Sequence, residues 1–146
     1  MKLEYRIIAD LIEKKTRVLD VGCDDGTLME FLKENKEVKV VHKELPILGK
    51  LSLLASKAAL ASHLQGKYKT LHAKLMEKKF QDLDQIFLLA KESGLNIEQL
   101  KKDMNSQKIQ DTILKTRKLA IFIGVRSTPT YIIGNKIYPP TRNLWG

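Results

Sequence analysis

The sequence predicts an α/β fold: a mixed sheet with a helical insertion between a βαβ unit and a C-terminal β-hairpin. Three observations predict it. "RVLDV" at 17–21 and "EVKVVHKELP" at 37–46 are short apolar runs separated by a segment of helix length, the layout of two parallel strands and their crossover. Residues 47–123 are then dominated by alanine, leucine and lysine at helical spacing. Finally, "TPTYIIGNKIYPP" sets β-rich flanks around Gly134-Asn135, a two-residue hairpin signal.

Each element has a local reason. Ile7, Ile8, Leu11 and Ile12 share one helical face within residues 2 to 14. Glu4, Asp10 and Glu13 interrupt that apolar pattern, so it reads as an amphipathic helix and not as a secretory signal. The expectation is a cytoplasmic chain. Arg17–Val21 is the first strand. Asp24 or Asp25 can cap a helix reaching about Asn35, with Leu28, Phe31 and Leu32 turned inward. Val38–Lys43 is the second strand, ended by Pro46. "LGKLSLLASKAALASHL" suits a buried or half-buried helix that stops at Gly66. "KYKTLHAKLMEKKF" places Tyr68, Leu71, Leu75 and Met76 on one face. "DLDQIFLLAKESG" stops near Gly94. Asn96 caps "IEQLKKDM", and Ser106 caps a helix from Gln107 to about Phe122. The strands of the hairpin follow. A chain of 146 residues is expected to form a single domain over 1–146, with 47–123 as its helical insertion and 130–139 as its hairpin.

Composition narrows the function classes. The formal net charge is +9, which raises a nucleic-acid reading. The lysines are spread along the whole chain, however. Their densest run, "GKYKTLHAKLMEKK", spaces them between apolar residues as a solvated helix face does, so no nucleic-acid partner is expected. No run reaches the eighteen apolar residues of a membrane span, so no membrane partner is expected. The one cysteine, Cys23, excludes an internal disulfide and any Cys-x-x-Cys couple. His42, His63 and His72 form no metal-ligand pattern with it, and no metal is expected.

Two resemblances lie on this chain. Residues 1 to 38, through "RVLDVGCDDGTLMEFLKE", resemble the start of MetW-like S-adenosylmethionine-dependent methyltransferases. That resemblance implies a Gly-rich turn at Gly22 and Gly26 against the cofactor, with Asp20 and Asp24 matching as well. An acidic residue after the second strand takes the ribose hydroxyls in such sites. Glu44 stands eighteen positions after Gly26, near the usual spacing of about 20.

Residues from about 38 to 139 resemble thioredoxin-fold disulfide oxidoreductases of the DsbA type. The matching stretches are "VKVVHKELPILG", "ASKAALASHLQGKY", "LHAKLM" and "IGVRSTPTYIIGNKIYP", in the family's order. The resemblance implies a thioredoxin-like mixed sheet with a helical insertion, ordered second strand, first strand, hairpin strand one, hairpin strand two. It implies a cis Thr128–Pro129 bond in a loop, Ser127 to Thr130, that faces the active-site cysteines. The chain departs from the family there. "CDDG" stands where the Cys-x-x-Cys belongs, and Gly26 occupies the place of the second cysteine. The tail "PTRNLWG" replaces a further helix. The family is usually exported, whereas this chain shows no signal peptide. Together the two resemblances describe a fusion or a decayed gene product.

The expected function follows. The chain is a DsbA-like thioredoxin-domain protein without a redox dithiol, non-catalytic or a peptide-binding remnant, with Thr128 and Pro129 as the residues that hold an extended peptide or protein. Cys23 is the candidate for a monothiol disulfide oxidoreductase, the second alternative. A helix N-terminus would lower its thiol pKa, while Asp24 and Asp25 oppose this, so an inert turn residue is the favoured reading. The first alternative is a methyltransferase fragment that binds S-adenosylmethionine through Asp20, Gly22, Gly26 and Glu44. The sequence offers none of the later strands such a domain needs. In the favoured reading there is no cofactor, and association is expected through the C-terminal sheet edge.

Overall fold

The computed structural model describes residues 17–21, 30–32, 34, 39–47 and 49–139. Two compact units divide the chain. One comprises Met1–Lys43 with Val125–Gly146, the other Glu44–Gly124.

The first unit is a four-stranded sheet of β1 (Arg17–Val21), β2 (Lys39–Lys43), β3 (Thr130–Ile133) and β4 (Lys136–Tyr138), in the order β2-β1-β3-β4. β1 runs parallel to β2 with Val18 opposite Val40. It is antiparallel to β3 with Val18 opposite Ile133. Because side chains alternate across a strand, that register lines Val40, Val18 and Ile133 across one face. Tyr131 and Tyr138 extend this face, and Phe31 and Leu32 pack against it. Glu30 to Leu32 and Glu34, between the parallel strands, are helical. Leu32 is fully buried, which stabilises the unit by roughly 1.5–3 kcal/mol. β3 pairs with β4 through a two-residue turn, Ile133 facing Lys136. Gly134 takes φ 59° there, a left-handed conformation that glycine enters without a Cβ penalty.

The second unit is helical: α1 (Lys50–His63), α2 (Tyr68–Glu77), α3 (Leu83–Glu92), α4 (Ile97–Met104) and α5 (Gln107–Ile123). α1 packs against each of the other four. Its buried surface is made of small residues, Ala55, Ser56, Ala58, Ala59, Ala61 and Ser62, and small side chains let helix axes approach closely. Leu71, Ile86 and Leu100 fill the core from α2, α3 and α4, with Ile109 and Ile113 from α5. The helix starts carry their own signals. Asp82 accepts from the Gln85 N–H at 2.9 Å, Asn96 from Gln99 at 3.0 Å and Ser106 from Ile109 at 3.4 Å. α5 ends on Gly124 at φ 79°.

One expected face differs. Met76 is exposed, and the inner face of α2 is Leu71, His72 and Leu75. His72 takes the inner position because a buried acceptor, Glu44, meets its ring. The predicted helices at 2–14 and from Asp24 lie outside the described residues, apart from Glu30 to Leu32 and Glu34.

Candidate functional site

β1 and β3 bring two chain segments to one end of the sheet. Val21, the last residue of β1, sits opposite Thr130, the first of β3. The end of β1 and the start of β3 are therefore adjacent. The Thr128–Pro129 bond is cis, as the resemblance implies. Thr130 is buried, and its hydroxyl donates to the Ser127 carbonyl at 2.6 Å. That bond closes the loop on itself and ties it to the strand. Ser127, Thr128 and Pro129 are half-exposed, while Thr130 at the base of the loop is buried.

Gly22, Cys23, Asp24 and Gly26, which follow β1 in sequence, lie outside the described residues. Asp20 is described in its backbone alone, paired with His42 on β2 and Tyr131 on β3. No group of three or more His, Cys, Asp or Glu among the described residues could hold a metal ion.

Glu44 belongs to a different constellation, inside the helical unit. Its carboxylate is buried. Tyr68 donates its hydroxyl to Oε1 at 2.6 Å, and Ser56 donates to Oε2 at 3.3 Å. His72 Nδ1 lies 3.2 Å from Oε1. Tyr68 stacks on the His72 ring with centroids 5.3 Å apart, and His63 meets Tyr68 edge-on at 6.4 Å. Both carboxylate oxygens thus have partners, as a buried charge requires. Sequence reasoning missed this cluster because Glu44, Ser56 and Tyr68 are far apart along the chain. The one local signal was Tyr68 and His72 at i and i+4 on α2, neighbours on a helix surface.

A family model described as "DSBA-like thioredoxin domain" matches residues 25–146. The chain belongs to this family. Its fold agrees with solved DsbA-like structures. A thioredoxin-like oxidoreductase from Silicibacter pomeroyi is 29% identical with a TM-score of 0.78, the match covering 87% of this chain and 79% of that one. The thiol-disulfide exchange protein alpha-DsbA2 from Wolbachia pipientis is 25% identical with a TM-score of 0.74, over 86% and 74% of the two chains. A periplasmic thioredoxin-like protein from Salmonella enterica serovar Typhimurium is 26% identical with a TM-score of 0.70, over 87% and 76%. No match was found among curated proteins. A second model, "Methionine biosynthesis protein MetW", matches residues 2–47. As a DsbA-like domain, the chain carries one cysteine in its whole length.

Proposed function

We propose that this DsbA-like domain performs no dithiol redox chemistry and holds extended peptide or protein segments at the loop Ser127 to Thr130. The single cysteine is the observation that carries the reading. In dithiol exchange a first thiolate attacks the substrate disulfide and a second resolves the mixed disulfide. One thiol can take the first step alone. The half-exposed loop before β3 supports the binding half, because an extended segment can be held by main-chain hydrogen bonds to loop backbone that lies outside the sheet ladder. Fluorescence anisotropy with a labelled, unfolded, cysteine-free peptide tests it. The wild type should bind, and Thr128→Arg should not. Equal binding by both removes the loop from the reading. In an insulin-reduction assay the protein should stay at background. Turnover that disappears in Cys23→Ser would instead favour the monothiol alternative.

The match to the methyltransferase-like model over residues 2–47 favours a second reading, S-adenosylmethionine binding through Asp20, Gly22, Gly26 and Glu44. The engagement of both Glu44 oxygens by Tyr68, Ser56 and His72 argues against it, since ribose hydroxyls would have to displace those partners. Calorimetry should register no binding. A dissociation constant of about 1 μM, equivalent to about 8 kcal/mol, that weakens in Gly22→Arg and in Glu44→Ala would reverse the ranking.

A further inference from the structure

The outer face of α5 is built unlike a solvated helix. Its inner face is Ile109, Ile113, Thr116 and Ala120. On the opposite side the last turns expose Leu114 (49%), Ile121 (80%) and Phe122 (88%), with Leu119 at 37%. Residues 112–124 contain Lys115, Arg117 and Lys118 and no carboxylate. At 100° per residue, Leu114 and Ile121 fall within about 20° of each other. Arg117 borders them on one side, and Lys118, Phe122 and Lys115 follow in turn on the other. Arg117 also reaches back to the Pro46 carbonyl at 3.4 Å, so its charge is held at the margin of the face. The core of the helical unit uses the other side of the helix, through Ile109 and Ile113.

We infer that this face of α5 is a docking surface for an anionic lipid bilayer. Charge complementarity carries the choice of occupant. Over these last turns apolar residues are interleaved with cations, and the nearest acid on this side is Asp111 a turn earlier, where Gln107 donates to it at 2.8 Å. Such a pattern suits the boundary between headgroups and acyl chains. There Phe122 and Ile121 enter the apolar layer while lysine stems lie along it and their ammonium groups reach the phosphates. Membrane partners were not expected from the sequence because no segment can span a bilayer. Among the described residues no helix is long and apolar enough to cross one. Peripheral contact needs no span.

The test is co-sedimentation of the full chain with two kinds of vesicle: phosphatidylcholine alone, and phosphatidylcholine with about one part in three phosphatidylglycerol. The wild type should bind the anionic vesicles, fail to bind the neutral ones, and release as salt is raised. Ile121→Ser with Phe122→Ser should weaken binding at least tenfold, roughly the effect of withdrawing two large apolar side chains. Lys115→Glu with Lys118→Glu should abolish it. All four positions are exposed, and circular dichroism verifies that each variant keeps its helices. Three results overturn the inference: no anionic binding at low salt, binding unchanged in the serine variant, or a wild-type dimer that the serine variant loses. Binding of an oligonucleotide that needs the lysines and ignores Ile121 and Phe122, without vesicle binding, assigns the face to nucleic acid and equally overturns it.

Discussion

Glu44 concentrates the most consequential chemistry that the described residues hold. Two hydroxyl donors and the His72 ring converge on one buried carboxylate, and the charge is tolerable because each oxygen is satisfied. Glu44→Gln keeps the shape but turns an amide N–H₂ toward donors. It should lower stability by about 2–4 kcal/mol, read from the urea midpoint at unchanged slope. Tyr68→Phe removes one hydroxyl and should cost about 1 kcal/mol. If Glu44→Gln unfolds within about 0.5 kcal/mol of wild type, a range ordinary for surface substitutions, the carboxylate is not a structural anchor. Cys23 behaves oppositely in the proposal. Replacing it by serine should leave insulin reduction at the background level already expected of the wild type.

The helices illustrate how element boundaries are written. Ser106 and Asn96 were legible as caps because short polar residues stood directly before apolar periodicity, and both accept from the third residue onward. Ser106→Ala should cost about 1 kcal/mol, seen as a matching loss in thermal or urea unfolding. Gly124 closes α5 at φ 79°, and a Cβ added there would meet nothing within 4 Å. The cost of Gly124→Ala is therefore backbone strain alone, on the order of 1–2 kcal/mol. A neutral result would show that the helix ends differently. The face of α2 was legible only in part. Leu71 and Leu75 announce themselves by hydrophobicity, whereas His72 reads as a polar residue until its partner is known. Met76, a good apolar candidate one turn further on, is exposed.

At the scale of the sheet, strand order decides what is exposed. β1 is flanked on both sides, while β2 and β4 are the edges. Ile137 on β4 is 45% exposed, and an open edge with an apolar residue is a template for pairing between chains. We propose that this edge drives self-association. Sedimentation velocity should show a concentration-dependent species that Ile137→Lys reduces. A monodisperse monomer at high concentration, with β4 amides protected from exchange, counts against it. The net charge of +9 opposes association through mutual repulsion, so raising salt should increase it.

The sequence by itself determined the class of fold and most of its parts. Short apolar runs marked β1 and β2, helical spacing and caps marked the long insertion, and Gly134-Asn135 marked the hairpin. Each of these is a local property, encoded within a few residues. It also determined the strongest chemical limit, a single thiol. The family resemblance supplied the sheet order and the loop at Pro129, and the paired registers of β1 with β2 and β3 agree with it. Only the tertiary structure decided where Glu44 goes. Read along the chain, it was an acidic residue at a cofactor-like spacing. In the fold it is the buried acceptor of Ser56, Tyr68 and His72. The same holds for Ile121 and Phe122, whose exposure depends on which side of α5 the alanine-rich α1 and its neighbours bury. Contacts between residues distant in sequence leave no local pattern, because long-range packing fixes them and periodicity does not.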